Sequence, residues 1–118
     1  MLIKSIKNSK IAGIFGLSIL CSTSFASGVG TTTITKVLAG PNFGNKVFVE
    51  VATRPVSVPD CQTNSGWSYV FDATTEAGKA TLSIVLLAYA SKTTVDIGGT
   101  DACSLYTNVE SLGHIYVK

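Results

Sequence analysis

Residues 67–103 read WSYVFDATTEAGKATLSIVLLAYASKTTVDIGGTDAC, and this stretch decides the fold. Trp67, Tyr69 and Phe71 alternate, as residues on one face of a strand do. The period then changes. Thr74 or Thr75 is the expected N-cap, and Glu76 stands in the first turn, where the helix dipole favours an acid. Ala77, Ala80, Thr81, Ile84 and Ala88 form one helical stripe, and Leu82, Val85, Leu86 and Tyr89 form a second. Ser91-Lys92 ends the helix. Thr93 to Ile97 reads as a strand, Gly98-Gly99 as a turn or bulge, and Cys103 closes the stretch.

Strand patterns surround this unit. Thr31 to Leu38 is rich in β-branched residues, and Gly40-Pro41-Asn42 and Gly44-Asn45 break it. Lys46 to Thr53 alternates, with Val47, Val49 and Val51 on one face and Phe48 and Glu50 on the other. Pro55 and Pro59 stop regular pairing. Residues 59–66 (PDCQTNSG) read as a loop carrying Cys61. After a polar loop around Cys103, Leu112 to Lys118 supplies the last strand, with Ile115 and Val117 on one face. The expected order is β-β-β-α-β-β. Five short strands with one helix between the third and fourth is the order of a small, partly open OB-fold barrel.

The first 26 residues read as a secretory leader. Lys4, Lys7 and Lys10 form a basic region, Ile11 to Cys21 is apolar, and Ser24-Phe25-Ala26 is a small-x-small cleavage site. The apolar run is too short for a membrane anchor, which needs roughly 20 residues. Cleavage after Ala26 leaves Ser27 to Lys118 as a single exported domain, secreted or periplasmic. The leader holds three of the nine Lys+Arg and none of the seven Asp+Glu, so the rest carries a net charge of −1. The basic balance of the whole chain therefore belongs to the leader, and no basic patch points to nucleic acid.

A domain this small is marginal on its core alone. Cys21 leaves with the leader, so Cys61 and Cys103 remain in an oxidising compartment, where a pair of cysteines usually bonds. A bridge closing a loop of about 42 residues contributes on the order of 4 kcal/mol in the loop-entropy model.

The helix is more hydrophobic than one packing surface requires. Lys79 and Ser83 mark a polar side, but one turn later that side meets Leu86 and Leu87. A helix apolar nearly all round is buried on more than one side. Either it is sunk deep in a small core with Leu82 or Leu87 partly exposed, or its second apolar face, with Leu86 and Leu87, meets another subunit of a homo-oligomer.

Catalytic signals are weak. His114 is the only histidine, and Asp60, Asp72 and Asp96 fall on different elements. No Gly-x-Ser-x-Gly elbow, Walker loop or HExxH is present. Two cysteines and one histidine fall short of a zinc site. The reading is a protein that is not an enzyme and uses no metal or cofactor. Sugars have apolar C–H faces and a polar rim, so aromatics beside amides or carboxylates suit them. Tyr106 and Asn108 in the loop after Cys103 are the candidates, with Tyr116 on the last strand's outer face able to join them. The alternative for Tyr106 is packing against the disulfide, and for Trp67 a place in the core.

Residues 82–103 (LSIVLLAYASKTTVDIGGTDAC) and the Pro59-Asp60-Cys61 context resemble the B subunits of bacterial AB toxins, those of Shiga type above all. The likeness covers roughly residues 59–118. About 30 residues of the mature chain precede Cys61, where the Shiga-type chain has its first cysteine near the mature N-terminus. The resemblance implies an OB-fold with one disulfide, a pentameric ring with the helices facing its centre, and binding to cell-surface glycans. It assigns no glycan contact by position. The alternative is a monomeric periplasmic or secreted factor, such as an inhibitor or envelope protein, that binds a protein partner.

Overall fold

The computed structural model describes residues 27–118; the expected leader lies outside the described residues. The β-branched run expected as one strand is divided into β1 (Gly28–Thr32) and β2 (Ile34–Ala39). A 3-10 turn at Pro41–Phe43 leads to β3 (Lys46–Val51), and β4 is Tyr69–Asp72. The helix α1 is Glu76–Ser91, followed by β5 (Val95–Gly99) and β6 (Leu112–Val117).

These strands form two three-stranded antiparallel sheets, β1-β5-β6 and β2-β3-β4. The protein is thus mainly β with one helix, but with six strands where the pattern predicts five. The reason lies on either side of Thr33. The β1–β5 register shifts between Val29 and Thr32, and the β2–β3 register shifts between Ile34 and Lys36. Such irregularities bend a strand and increase its twist. One continuous extended segment therefore pairs with β5 in its first half and β3 in its second. At the other side, Val70 of β4 forms an isolated parallel bridge with Ser111, and its N–H donates to the Glu110 carbonyl at 3.0 Å.

The main core lies between the sheets. Val47, Val49 and Val51 of β3, Tyr69 and Phe71 of β4, Val95 and Ile97 of β5 and Ile115 of β6 meet there with Val85 and Ala88 of α1. The alternation in β3 and β4 is legible for this reason: one face of each points into a shared apolar space. In β6 only Ile115 of the expected Ile115–Val117 face enters the core, and Val117, near the strand end, is exposed. The helix packs on β2 and β6, one strand from each sheet.

Helix ends follow local chemistry. Thr75 is the N-cap, and its hydroxyl accepts from Gly78 N–H at 2.8 Å. Gly78 is required by close approach, because a Cβ there would lie 1.7 Å from the Asp72 carbonyl oxygen. Lys92 adopts a left-handed conformation and caps the other end through Ala88 O. The buried line runs through Gly78, Val85 and Ala88, with Leu82 and Ile84 partly buried beside it. It thus passes between the two stripes predicted from sequence.

A second, smaller core covers the opposite face of β3 and β4. Phe48, Val70 and Val109 are buried there, with Leu38, Phe43, Trp67, Leu105 and Tyr106 packed around them. Phe48 is only 1% exposed, although alternation placed it opposite the core valines. The disulfide Cys61–Cys103 joins the loop before β4 to the loop before β6, and residues of both loops pack over that face. Trp67 belongs to this second core rather than to the face of Tyr69 and Phe71. The Asn64 side-chain oxygen accepts from Gly66 and Trp67 N–H, which turns the chain before β4 begins. No helix among the described residues is long and apolar enough to cross a membrane.

Candidate functional site

Two surface neighbourhoods contain the residues singled out from sequence. The first is the stapled loop. Arg54 anchors its base by donating to the carbonyls of Asn64 at 3.0 Å and Trp67 at 3.2 Å while pairing with Glu50 at 3.0 Å. Gln62 donates to the Trp67 carbonyl at 3.0 Å and accepts from Glu110 N–H at 2.5 Å. Asn108 is tied down as well: its carbonyl accepts from Asn64 N–H at 3.2 Å and its side-chain oxygen from the Asn64 amide at 3.4 Å.

Tyr106 stands beside this network as a wall of the second core. Its ring meets Phe48 edge-on, centroids 4.9 Å apart, and Phe43 at 6.4 Å. A shallow pocket of about 290 Å³ lies against it, lined by Lys46, Cys103, Ser104, Leu105, Tyr106 and Thr107. Tyr106 therefore packs on aromatic rings as well as lining the pocket beside Cys103, and Asn108 has both its main-chain and its side-chain oxygen engaged within the protein.

The second neighbourhood is the outer face of β5 and β6. Antiparallel register sets Asp96 opposite Tyr116 and Gly98 opposite His114. The Asp96 carboxylate is 2.9 Å from His114 Nε2 and accepts from the Tyr116 hydroxyl at 3.4 Å. Tyr116 is 54% exposed. Gly98 leaves space for the imidazole, since a Cβ there would lie 2.5 Å from His114 Cε1. Lys118 reaches across to β1, donating to Gly30 O at 2.8 Å and Thr31 Oγ1 at 2.9 Å. An exposed aromatic ring beside a carboxylate and an imidazole can stack on an apolar face and hydrogen-bond a polar rim. Sequence reasoning looks for that combination at Tyr106 and Asn108. The structure also assembles it at Tyr116, through Asp96 and His114, and sets Tyr106 and Tyr116 against different sheets. The partnership of Asp96 is hidden in the sequence because only strand register brings residues 96, 114 and 116 together.

The helix carries a third feature. Leu86, Leu87 and Tyr89 are 48, 59 and 43% exposed. The C-terminal half of the helix therefore presents an exposed apolar surface that includes Leu87.

Inside the molecule, Tyr69 and Glu110 lie close to Ser27. The Tyr69 phenol has its pKa pushed up by burial, eased down by the Ser27 hydrogen bond and raised again by the Glu110 charge. Asp72, at the start of the helix, is held below the ordinary carboxylate value by donation from the Thr74 hydroxyl and N–H.

Comparison with protein-family models, curated proteins and solved structures found no match to this chain.

Proposed function

We propose that the mature chain is an exported, non-catalytic binding protein that assembles into a homo-oligomer and recognises cell-surface glycans. The observation that carries this reading is the uncovered helix face of Leu86, Leu87 and Tyr89. Large contiguous apolar patches are uncommon on folded monomers, and burying one against a second copy is favourable. The resemblance to toxin B subunits supplies the assembly: a ring of five with this helix toward the centre.

The connectivity supports an OB-fold-like barrel. The bent segment 28–39 serves both sheets, and the parallel contact of Val70 with Ser111 links them on the other side. The Tyr116–Asp96–His114 group supports the glycan part of the reading, with the pocket beside Tyr106 as a second subsite. Several weak sugar contacts on one ring reach useful avidity through effective concentration.

Two measurements test the proposal in order. Light scattering on the mature protein at tens of micromolar should give a mass several times that of one chain. A glycan array should then show binding by that particle. A monomer removes the assembly, and a confirmed oligomer that binds no glycan removes the recognition. A monomer that captures an envelope protein favours the alternative reading as an inhibitor or envelope factor.

A further inference from the structure

Glu110 is fully buried, a costly position for a carboxylate without a cationic partner. Among the described residues, no Lys, Arg or His forms an ion pair with it. Its surroundings are nevertheless built to hold it. One carboxylate oxygen accepts from the Ser27 hydroxyl and the other from Asp101 N–H at 2.8 Å. Gly99 makes room, since a Cβ there would lie 2.2 Å from Glu110 Oε2. The main chain of Glu110 is held from both sides, by Gln62 and Val70. Ser27 is itself buried, and its carbonyl accepts from Gly99 N–H at 2.8 Å. The other titratable group nearby is the Tyr69 phenol, 3.4 Å from Ser27 Oγ.

Ser27 is also the residue that follows the small-x-small sequence Ser24-Phe25-Ala26. Its backbone nitrogen is three bonds from the hydroxyl oxygen that contacts Glu110. In the uncut chain that nitrogen is a neutral amide. Hydrolysis of the Ala26–Ser27 bond by a leader peptidase consumes one water, leaves a carboxylate on Ala26 and frees an α-amine on Ser27. We propose that this processing step creates the missing partner of Glu110: the Ser27 α-ammonium and the Glu110 carboxylate form a buried ion pair that exists only in the cleaved protein. The pair joins the start of β1 to the stapled loop before β6. Leader removal thereby completes the fold as well as releasing the chain. The inference rests on the export reading, and the experiment separates the two.

The mature protein is purified after export, and its intact mass is measured. A chain starting at Ser27 is expected. A retained leader overturns the export reading and the pair together, and a different mature N-terminus overturns the pair alone. The α-amine is then titrated by NMR in the folded wild-type protein. Pairing with a carboxylate raises an amine's pKa, whereas burial alone lowers it. We expect a value at least one unit above the free α-amino range of roughly 7.7–8.0. An amine at or below that range overturns the pair. Nα-acetylation of Ser27 should lower Tm in the wild type and have a smaller effect in Glu110→Gln. If that variant does not fold, the wild-type titration still decides.

Discussion

The ring of Tyr106 stands edge-on to that of Phe48, with centroids 4.9 Å apart and planes at 87°. The two are 58 positions apart in sequence, and their contact makes the loop after Cys103 the lid of a second core. Edge-to-face pairs add about 0.5–1.5 kcal/mol beyond the apolar area they bury. Phe48→Ala should therefore lower stability by about 3–5 kcal/mol, the usual cost of removing a buried aromatic. Chemical denaturation checks it. A loss under about 1 kcal/mol, far below that cost, would mean the loop does not press on β3.

Tyr116 should behave differently, because it is exposed and its hydroxyl makes a long hydrogen bond to Asp96 at 3.4 Å. Tyr116→Ala should shift stability by no more than about 0.5 kcal/mol. It should abolish binding to any glycan that the wild-type protein retains on an array. Unchanged glycan binding would move the recognition surface elsewhere, with the pocket at Tyr106 next in line.

Gly78 tests the junction of β4 and α1. Alanine is favoured over glycine in a helix by about 1 kcal/mol. Here the added Cβ meets backbone, the Asp72 carbonyl oxygen, at 1.7 Å. Overpacking of this kind costs about 1–3 kcal/mol, and backbone yields less readily than a side chain. Gly78→Ala is expected to be destabilising on balance, read as a lower midpoint in urea.

The uncovered helix face offers a sign test. Leu86→Glu with Leu87→Glu places two charges on side chains that are 48 and 59% exposed. The particle mass should fall to that of one chain, while circular dichroism still reports a folded domain. A large oligomer that survives both changes would rule this face out as the contact.

The pH dependence follows from two groups. Asp72 is held down by Thr74, so its contribution is present above the ordinary carboxylate value and is lost as pH falls through its lowered folded value. Asp72 is only partly buried, so its share of acid unfolding should be small; Thr74→Val should reduce that share by taking away the hydroxyl donor while the N–H of residue 74 still donates. Tyr69 is raised instead, so its contribution is complete below about pH 10, the ordinary tyrosine value, and is lost as pH rises through the folded value. Alkaline unfolding should accordingly begin above that pH. A Tyr69 phenol that ionises at its ordinary value in the folded protein would contradict this burial.

The single helix, the cysteine pair and the inward faces of β3 and β4 are all legible in the amino-acid sequence. Each depends on short-range periodicity or on counting: a 3.6-residue repeat, a two-residue repeat, two cysteines outside the expected leader. What the sequence hides is every feature set by pairing. Thr31 to Leu38 reads as one strand because nothing local marks the exchange of partners at Thr33. Alternation places Phe48 on the face opposite the core valines and reports one core, yet this sheet is covered on both faces. Asp96 reads as isolated, yet register sets it beside His114 and Tyr116.

By itself, the sequence determined which segments extend, which one coils, and which two sulfurs meet. Those choices are made by neighbours a few residues apart, and the disulfide by elimination. Only the tertiary structure decided that the first strand serves two sheets, that a second core lies beneath the stapled loop, and that Glu110 is sealed beside Ser27. Residues 27 and 110 are 83 positions apart. No local pattern encodes such a meeting, because it depends on how two sheets, a helix and a crosslinked loop share one interior.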